Sequence, residues 1–281
     1  MKPCARIATR AALGLLLALA GAGCGSAARS NATAQAAQPS AQAGDPPAPD
    51  AALTQAAAIV RHYANAPTIT AQLLIRIKPT KKDAQIATVN AWSPGDGRTR
   101  LSVTRVGFSG VEALVGADGT LVAVARDGDV VRDDLRTAFA DVLGVQAQPQ
   151  RLIEDLKAGP LPLADAYERT ATGLACLDPG TALRVEVDIA ADGVTVTQKR
   201  WLHADGHEAL RIDYARDQLF DGLRRAARWN VTIAEIDAEI QVRVQNLDVV
   251  PQIGDERMAL AVPADREAED LATFTRTAAP E

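Results

Sequence analysis

From Ile69 onward the chain alternates apolar and polar positions. Ile69, Ala71, Leu73, Ile75 and Ile77 hold one parity while Thr70, Gln72 and Arg76 hold the other, the period of a strand with one dry face. The same period predicts strands over about Gln85 to Trp92 and Arg98 to Val106, separated by the turn SPGDG. Short strands follow around VEALVGADGTLVAVARDGDVV, joined at Asp118-Gly119 and Asp127-Gly128, where glycine supplies the positive φ that tight hairpins require. TALRVEVDIAADGVTVTQKRWLHADGHEALRIDYAR reads as three strands with ADG turns at Ala191 and Ala204, and Leu183, Val185, Val187 and Ile189 facing one way. LRRAARWNVTIAEIDAEIQVRVQNLDVVP reads as two more, with Ala227, Trp229, Val231 and Ile233 paired against Ile240, Val242 and Val244. The alternation slips near Asn246, where a bulge restores phase for Leu247 and Val249.

Three segments carry helical spacing instead. Asp50 can cap a helix whose face is Leu53, Ala56, Ala57, Val60 and Tyr63, ended by Pro67. RDDLRTAFADVLG sets Leu135, Ala138, Phe139 and Val142 on one side and stops at Gly144. PQRLIEDLKAG starts with Pro149 near its first turn and stops at Gly159. The sum is an α+β fold: an antiparallel sheet of about 11 strands, wet on one face, with the N-terminal helix and the two interposed helices as the only cover for the other.

The N-terminus follows a different logic. Lys2, Arg6 and Arg10 precede an apolar run from Ala11 to Ala22, too short for the roughly 20 residues of a membrane-spanning helix and ordered like a secretory signal. Gly21, Ala22 and Gly23 before Cys24 resemble the lipobox of bacterial lipoproteins, although that motif usually has Leu where this chain has Gly21. Cleavage after Ala20-Gly21-Ala22 is the competing reading. Residues 25–49 are rich in Ala, Gln, Ser, Gly and Pro, a composition that cannot offset its ordering entropy. The organisation read here is a signal over 1–23, a disordered tether over 24–50 after a lipidated Cys24, one domain over 51–265, and a flexible tail over 266–281. By resemblance to lipoproteins of bacteria with two membranes, Gly25 argues against retention at the inner membrane, so the expected location is the outer membrane facing the periplasm, or the periplasm itself if Cys24 is not acylated.

Charge and chemistry narrow the function. The chain has 30 basic and 35 acidic residues, and losing Lys2, Arg6 and Arg10 with the signal leaves 27 against 35, a net charge of −8. Nucleic acid is an unsuitable partner for such a surface. Of three cysteines only Cys176 remains in the domain, so neither an internal disulfide nor a Cys/His metal site is expected; Cys176 reads as a small core residue. His203 and His207 flank a turn at Asp205-Gly206 rather than share a helix face. Ser109 lacks the GxSxG elbow of a nucleophilic serine. No cofactor, metal or catalytic group is expected, and no enzyme.

The strand order, ITAQLLIRI after the first helix, and the closing meander from Leu210 to Pro251 resemble the Lol family, the periplasmic carrier and outer-membrane receptor of bacterial lipoproteins. That resemblance implies a curved half-barrel with helices lidding its mouth and a cavity for acyl chains. It also implies a cavity arginine in one family member and an exposed leucine on a membrane-probing loop in another; the sequence assigns neither. Leu73, Ile75, Val185, Val187, Trp229, Val231, Ile240 and Val242 are the candidate cavity wall, and the same residues could equally form a filled core. The expected function is a non-catalytic, membrane-anchored binder of acyl chains or lipid-modified proteins. A stress sensor or scaffold contacting another envelope protein, and more remotely a secreted hydrolase, are the alternatives. If Cys24 is the lipid acceptor, mass spectrometry of the mature N-terminus finds acyl chains on it, and Cys24→Ser releases the protein from membranes; an unmodified terminus refutes the anchor.

Overall fold

The computed structural model describes residues 51–79, 83–105, 108–126, 128–134, 151–178, 183–233 and 238–270. The signal, Cys24, the tether and the Leu135–Val142 face therefore lie outside the described residues. Helix α1 spans Ala51–Tyr63 and leads into a first meander: β1 (Ile69–Pro79), β2 (Gln85–Ser93), β3 (Thr99–Arg105), β4 (Phe108–Val115), β5 (Thr120–Ala125) and β6 (Val130–Asp134). Helix α2 (Arg151–Ala158) comes next. A second meander follows: β7 (Glu168–Arg169), β8 (Gly173–Leu177), β9 (Arg184–Ile189), β10 (Val196–Leu202), β11 (Glu208–Phe220), β12 (Leu223–Ile233) and β13 (Ala238–Val249). The one-turn helix α3 (Asp255–Met258) and β14 (Ala268–Glu269) complete the order.

All strands form one open, curved sheet of 14 strands in the order β14-β6-β5-β4-β3-β2-β1-β13-β12-β11-β10-β9-β8-β7. Each meander grows outward from a central seam where β1 pairs antiparallel with β13, from Ile69↔Val249 to Pro79↔Ala238. The register slips opposite Gln72 and Leu73, whose partners are Asn246 and Val244. This is the bulge the broken alternation called for; Leu247 returns to the core, whereas Val249 at the strand end is exposed.

The period-two pattern sets the core. In β12, Leu223, Arg225, Ala227, Trp229, Val231 and Ile233 are buried while the residues between them are not. Tight turns match the right-handed twist of the strands they join: Asp221 and Gly222 both take positive φ (43° and 82°) between β11 and β12. Gly119, Gly193 and Gly206 sit at three further hairpin turns, all at positive φ.

Three expectations need correction. The sheet has 14 strands rather than about 11, because β7 and β14 are two residues each and β8, GLACL, shows no alternation to read. β14 pairs parallel with β6. Asp133 and Asp134 end a strand rather than begin a helix. The buried face of α1 is Ala52, Ala56, Ile59 and Tyr63, with Leu53 46% exposed; an alanine-rich helix has several weakly apolar stripes, and the large side chains Ile59 and Tyr63 decide which meets the sheet. Trp229 is 1% exposed on the covered face and Arg228 points away from it. Trp229→Ala is expected to cost about 3–5 kcal/mol, and Arg228→Ala less than about 0.5 kcal/mol, both read from urea denaturation; equal effects would mean the strand phase is wrong.

Candidate functional site

The covered face is mostly apolar and carries a group of polar side chains on neighbouring strands. Lys199 on β10 shares parity with Trp201, and Arg225 on β12 shares parity with Ala227 and Trp229. Both cations are 1% exposed. Tyr214 on β11 stands opposite Trp229 in register and packs edge-on against it at 6.0 Å. Burying such groups is costly unless each finds a partner, and the partners come from the helices.

Asp155 of α2, 4% exposed, is the first partner. Lys199 Nζ donates to its Oδ1 at 2.6 Å and Tyr214 OH donates to its Oδ2 at 2.5 Å. Lys199 Nζ also lies 4.7 Å from the centre of the Trp201 ring, within the range of a cation–π contact. Burial, reinforced by the Asp155 charge, pushes the Tyr214 phenol well above its ordinary value and keeps it a donor.

Arg225 meets the ends of both helices. Its Nε donates to Leu156 O at 2.8 Å, and Nη2 donates to Lys157 O at 2.7 Å and Ala64 O at 3.1 Å. Nη1 donates to Tyr63 O and, at 2.7 Å, to Arg224 O. Terminal helix carbonyls lack intrahelical donors and carry the negative end of the helix dipole, so one guanidinium serves two helix C-termini at once. Burial lowers its pKa to about 10, an effect the Asp155 charge opposes, and it stays charged at neutral pH.

Local structure brings the two helix ends together. α2 stops at Gly159, which takes φ +87°; a Cβ there would lie 2.5 Å from the Cβ of Tyr63. Ala66 N donates to Lys157 O at 2.9 Å, and Lys157 Nζ reaches Pro94 O at 3.2 Å in the β2–β3 turn. Tyr63 OH accepts from Val196 N at 2.9 Å, and burial raises its pKa to about 12.

The eight wall candidates are all on this covered face and none exceeds 2% exposure. Leu73, Ile75, Trp229, Val231, Ile240 and Val242 lie on the adjacent strands β1, β13 and β12, with Trp229↔Val242 and Val231↔Ile240 in register. Val185 and Val187 lie further along the sheet on β9, beside β10. All eight belong to one apolar cluster. Cys176 is buried in the same cluster. His203 and His207 flank the β10–β11 turn, where His203 N donates to His207 O at 2.9 Å. Among the described residues no three His, Cys, Asp or Glu side chains gather as a metal site, and no helix is long and apolar enough to cross a membrane. A groove of about 520 Å³ on the opposite sheet face, bordered by Arg100, Glu112, Arg126 and Leu260, holds an internal pair, Arg100 with Glu112 at 3.0 Å.

No protein-family model matches the chain. No curated protein matches it either. Solved structures do share its fold. A LolA superfamily protein from Nitrosomonas europaea superposes with a TM-score of 0.54 at 11% identity, covering 74% of this chain and 97% of that one. A DUF1329 family protein from Desulfovibrio piger gives a TM-score of 0.54 at 12% identity, covering 75% and 98%. The chain is thus similar to Lol-type proteins in fold.

Asp155, Lys199, Tyr214 and Arg225 were not singled out in the sequence, and strand parity was the signal that could have found the last three. Arg225→Lys keeps a charge but offers an ammonium that cannot span carbonyls from two helices. The variant is expected to lose about 2–3 kcal/mol, read as a lower urea midpoint at unchanged slope; a midpoint equal to the wild type would mean the helix ends do not depend on the guanidinium.

Proposed function

We propose that this protein is a non-catalytic lipoprotein of the bacterial cell envelope, anchored through Cys24, that takes up acyl chains between the covered sheet face and its helices. The observation that carries the reading is the way the cover is attached. The helices that close the sheet face bury Ile59, Tyr63, Ile153 and Leu156 in the same apolar cluster and are fixed in place by a few discrete polar contacts, Arg225 to two helix ends and Asp155 to Lys199 and Tyr214. Directional contacts of this kind can be exchanged as a unit, and a hydrocarbon chain that enters as the helices part keeps the apolar face they leave out of water. Once the helices part from the sheet, Leu73, Ile75, Trp229, Val231, Ile240 and Val242 form an aliphatic and aromatic wall suited to a hydrocarbon chain. Val185 and Val187 extend that wall along the sheet.

The shared fold of a LolA superfamily protein supports the same reading, as do the signal-like N-terminus and the small residues before Cys24. The cluster itself argues for binding rather than turnover. Its acid, amine and phenol are mutually satisfied, and no serine or thiol nucleophile stands among the contacts of Asp155. An acyl chain or the lipid-modified terminus of another envelope protein is the ligand class.

Titration of the full chain with a fluorescent fatty acid is expected to give saturable binding without hydrolysis of an ester analogue. Leu73→Glu and Val187→Glu each place a carboxylate on the apolar wall, which is very costly to bury beside hydrocarbon, and should weaken binding at least about tenfold with the circular dichroism spectrum unchanged. Absence of saturable binding would overturn the acyl-carrier reading in favour of action through surface contacts with another protein.

A further inference from the structure

The donors around Asp155 belong to the sheet, while the acid belongs to a helix. Lys199 stands in register with Val187 on one side and Ile212 on the other, and Tyr214 stands opposite Trp229. An ammonium among such neighbours is strongly destabilised without an anion. The described part of helix α2 has eight residues, and a stretch of that length depends on its tertiary contacts. When it leaves the sheet, Asp155 goes with it, and Lys199, Tyr214 and Arg225 remain on β10, β11 and β12. What remains has the shape of a carboxylate: two donors that reached the two oxygens of one group at 2.6 and 2.5 Å, with the guanidinium of Arg225 bonded one residue further along at Leu156 O.

We propose that Lys199 and Tyr214, flanked by Arg225, receive the carboxylate of a long-chain amphiphile, and that Asp155 holds that place in the closed protein. Asp155 is then an internal stand-in for the ligand head, and binding exchanges one carboxylate for another. The exchange keeps the Lys199 charge neutralised and the Tyr214 hydroxyl donating, while Arg225, which gives up Leu156 O and Lys157 O with the helix, is free to turn to the incoming carboxylate. The hydrocarbon tail runs from this point along the aliphatic strands. A neutral ester or alcohol of equal chain length leaves the ammonium unanswered, and the site discriminates against it for that reason. The proposal rests on the acyl-binding reading above and adds a head-group specificity to it.

The test compares palmitate with its methyl ester on the full chain, by displacement of a fluorescent acyl probe. Palmitate is expected to bind at least about tenfold tighter than the ester. Lys199→Met should bring that ratio close to one, and Asp155→Asn, which removes the internal competitor, should widen it. Should Lys199→Met fail to fold, Tyr214→Phe should reduce the ratio by about threefold. Equal binding of acid and ester to the wild type would overturn the carboxylate site and leave the acyl cavity standing. Binding of neither would overturn both.

Discussion

A guanidinium buried on an apolar sheet face is the constraint around which this structure is arranged. Arg225 cannot lose its charge at neutral pH, and its strand turns it inward. It therefore needs acceptors that can be delivered to the interior, and backbone carbonyls at helix ends are available because the helix itself leaves them over. That requirement explains why α1 and α2 end side by side. It explains the glycine at 159, where a side chain would strike Tyr63, and the bond from Ala66 N to Lys157 O that holds the two exits together. A single side chain makes the two helices one mechanical part. Neither can be withdrawn without breaking contacts that serve the other.

The Asp155–Lys199 pair obeys the same economy with a different balance. A buried ion pair contributes little net stability compared with an apolar pair of equal volume, so its value lies in where it can be broken. Other charged residues of the second meander pair on the opposite face: Arg184 with Glu168 and Glu186, Arg200 with Glu186 and Asp188, and Arg211 with Glu208 and Asp213. Exposed pairs of this kind add little to stability, but they keep a broad sheet surface hydrated. The two faces thus use the same residue types for opposite ends.

Alternation made most of the sheet legible before any coordinates: β1, β9 to β13 and the bulge beside Asn246 follow from parity and glycine turns. Elements without a period were not legible. β8 is apolar at consecutive positions, and β7 and β14 are too short to repeat anything. The predicted face of α1 holds Ala56 and Tyr63, which are buried, but takes Leu53 where the sheet receives Ala52 and Ile59. The apolar wall is legible residue by residue; the polar cluster is not. In LRRAAR and TQKRW, Arg225 and Lys199 stand at inward positions by the very parity that places Trp229 and Trp201. A charge at an inward position is a question about its partner, and Asp155, in a helix of ordinary amphipathic composition, gave no separate sign of being the answer.

The seam between the two meanders has a consequence for how the chain folds. Ile69 pairs with Val249, 180 residues later, and Arg225 closes on Tyr63 across 162 residues. Hairpins within each meander are local and close quickly, but the seam is among the last contacts a growing or emerging chain can make, and contacts so distant in sequence slow folding. Until β13 arrives, β1 presents eleven residues of unpaired strand, the kind of edge that recruits other chains. The slow step and the hazardous surface are the same strand, so whatever keeps this protein from aggregating during biogenesis has to act on β1.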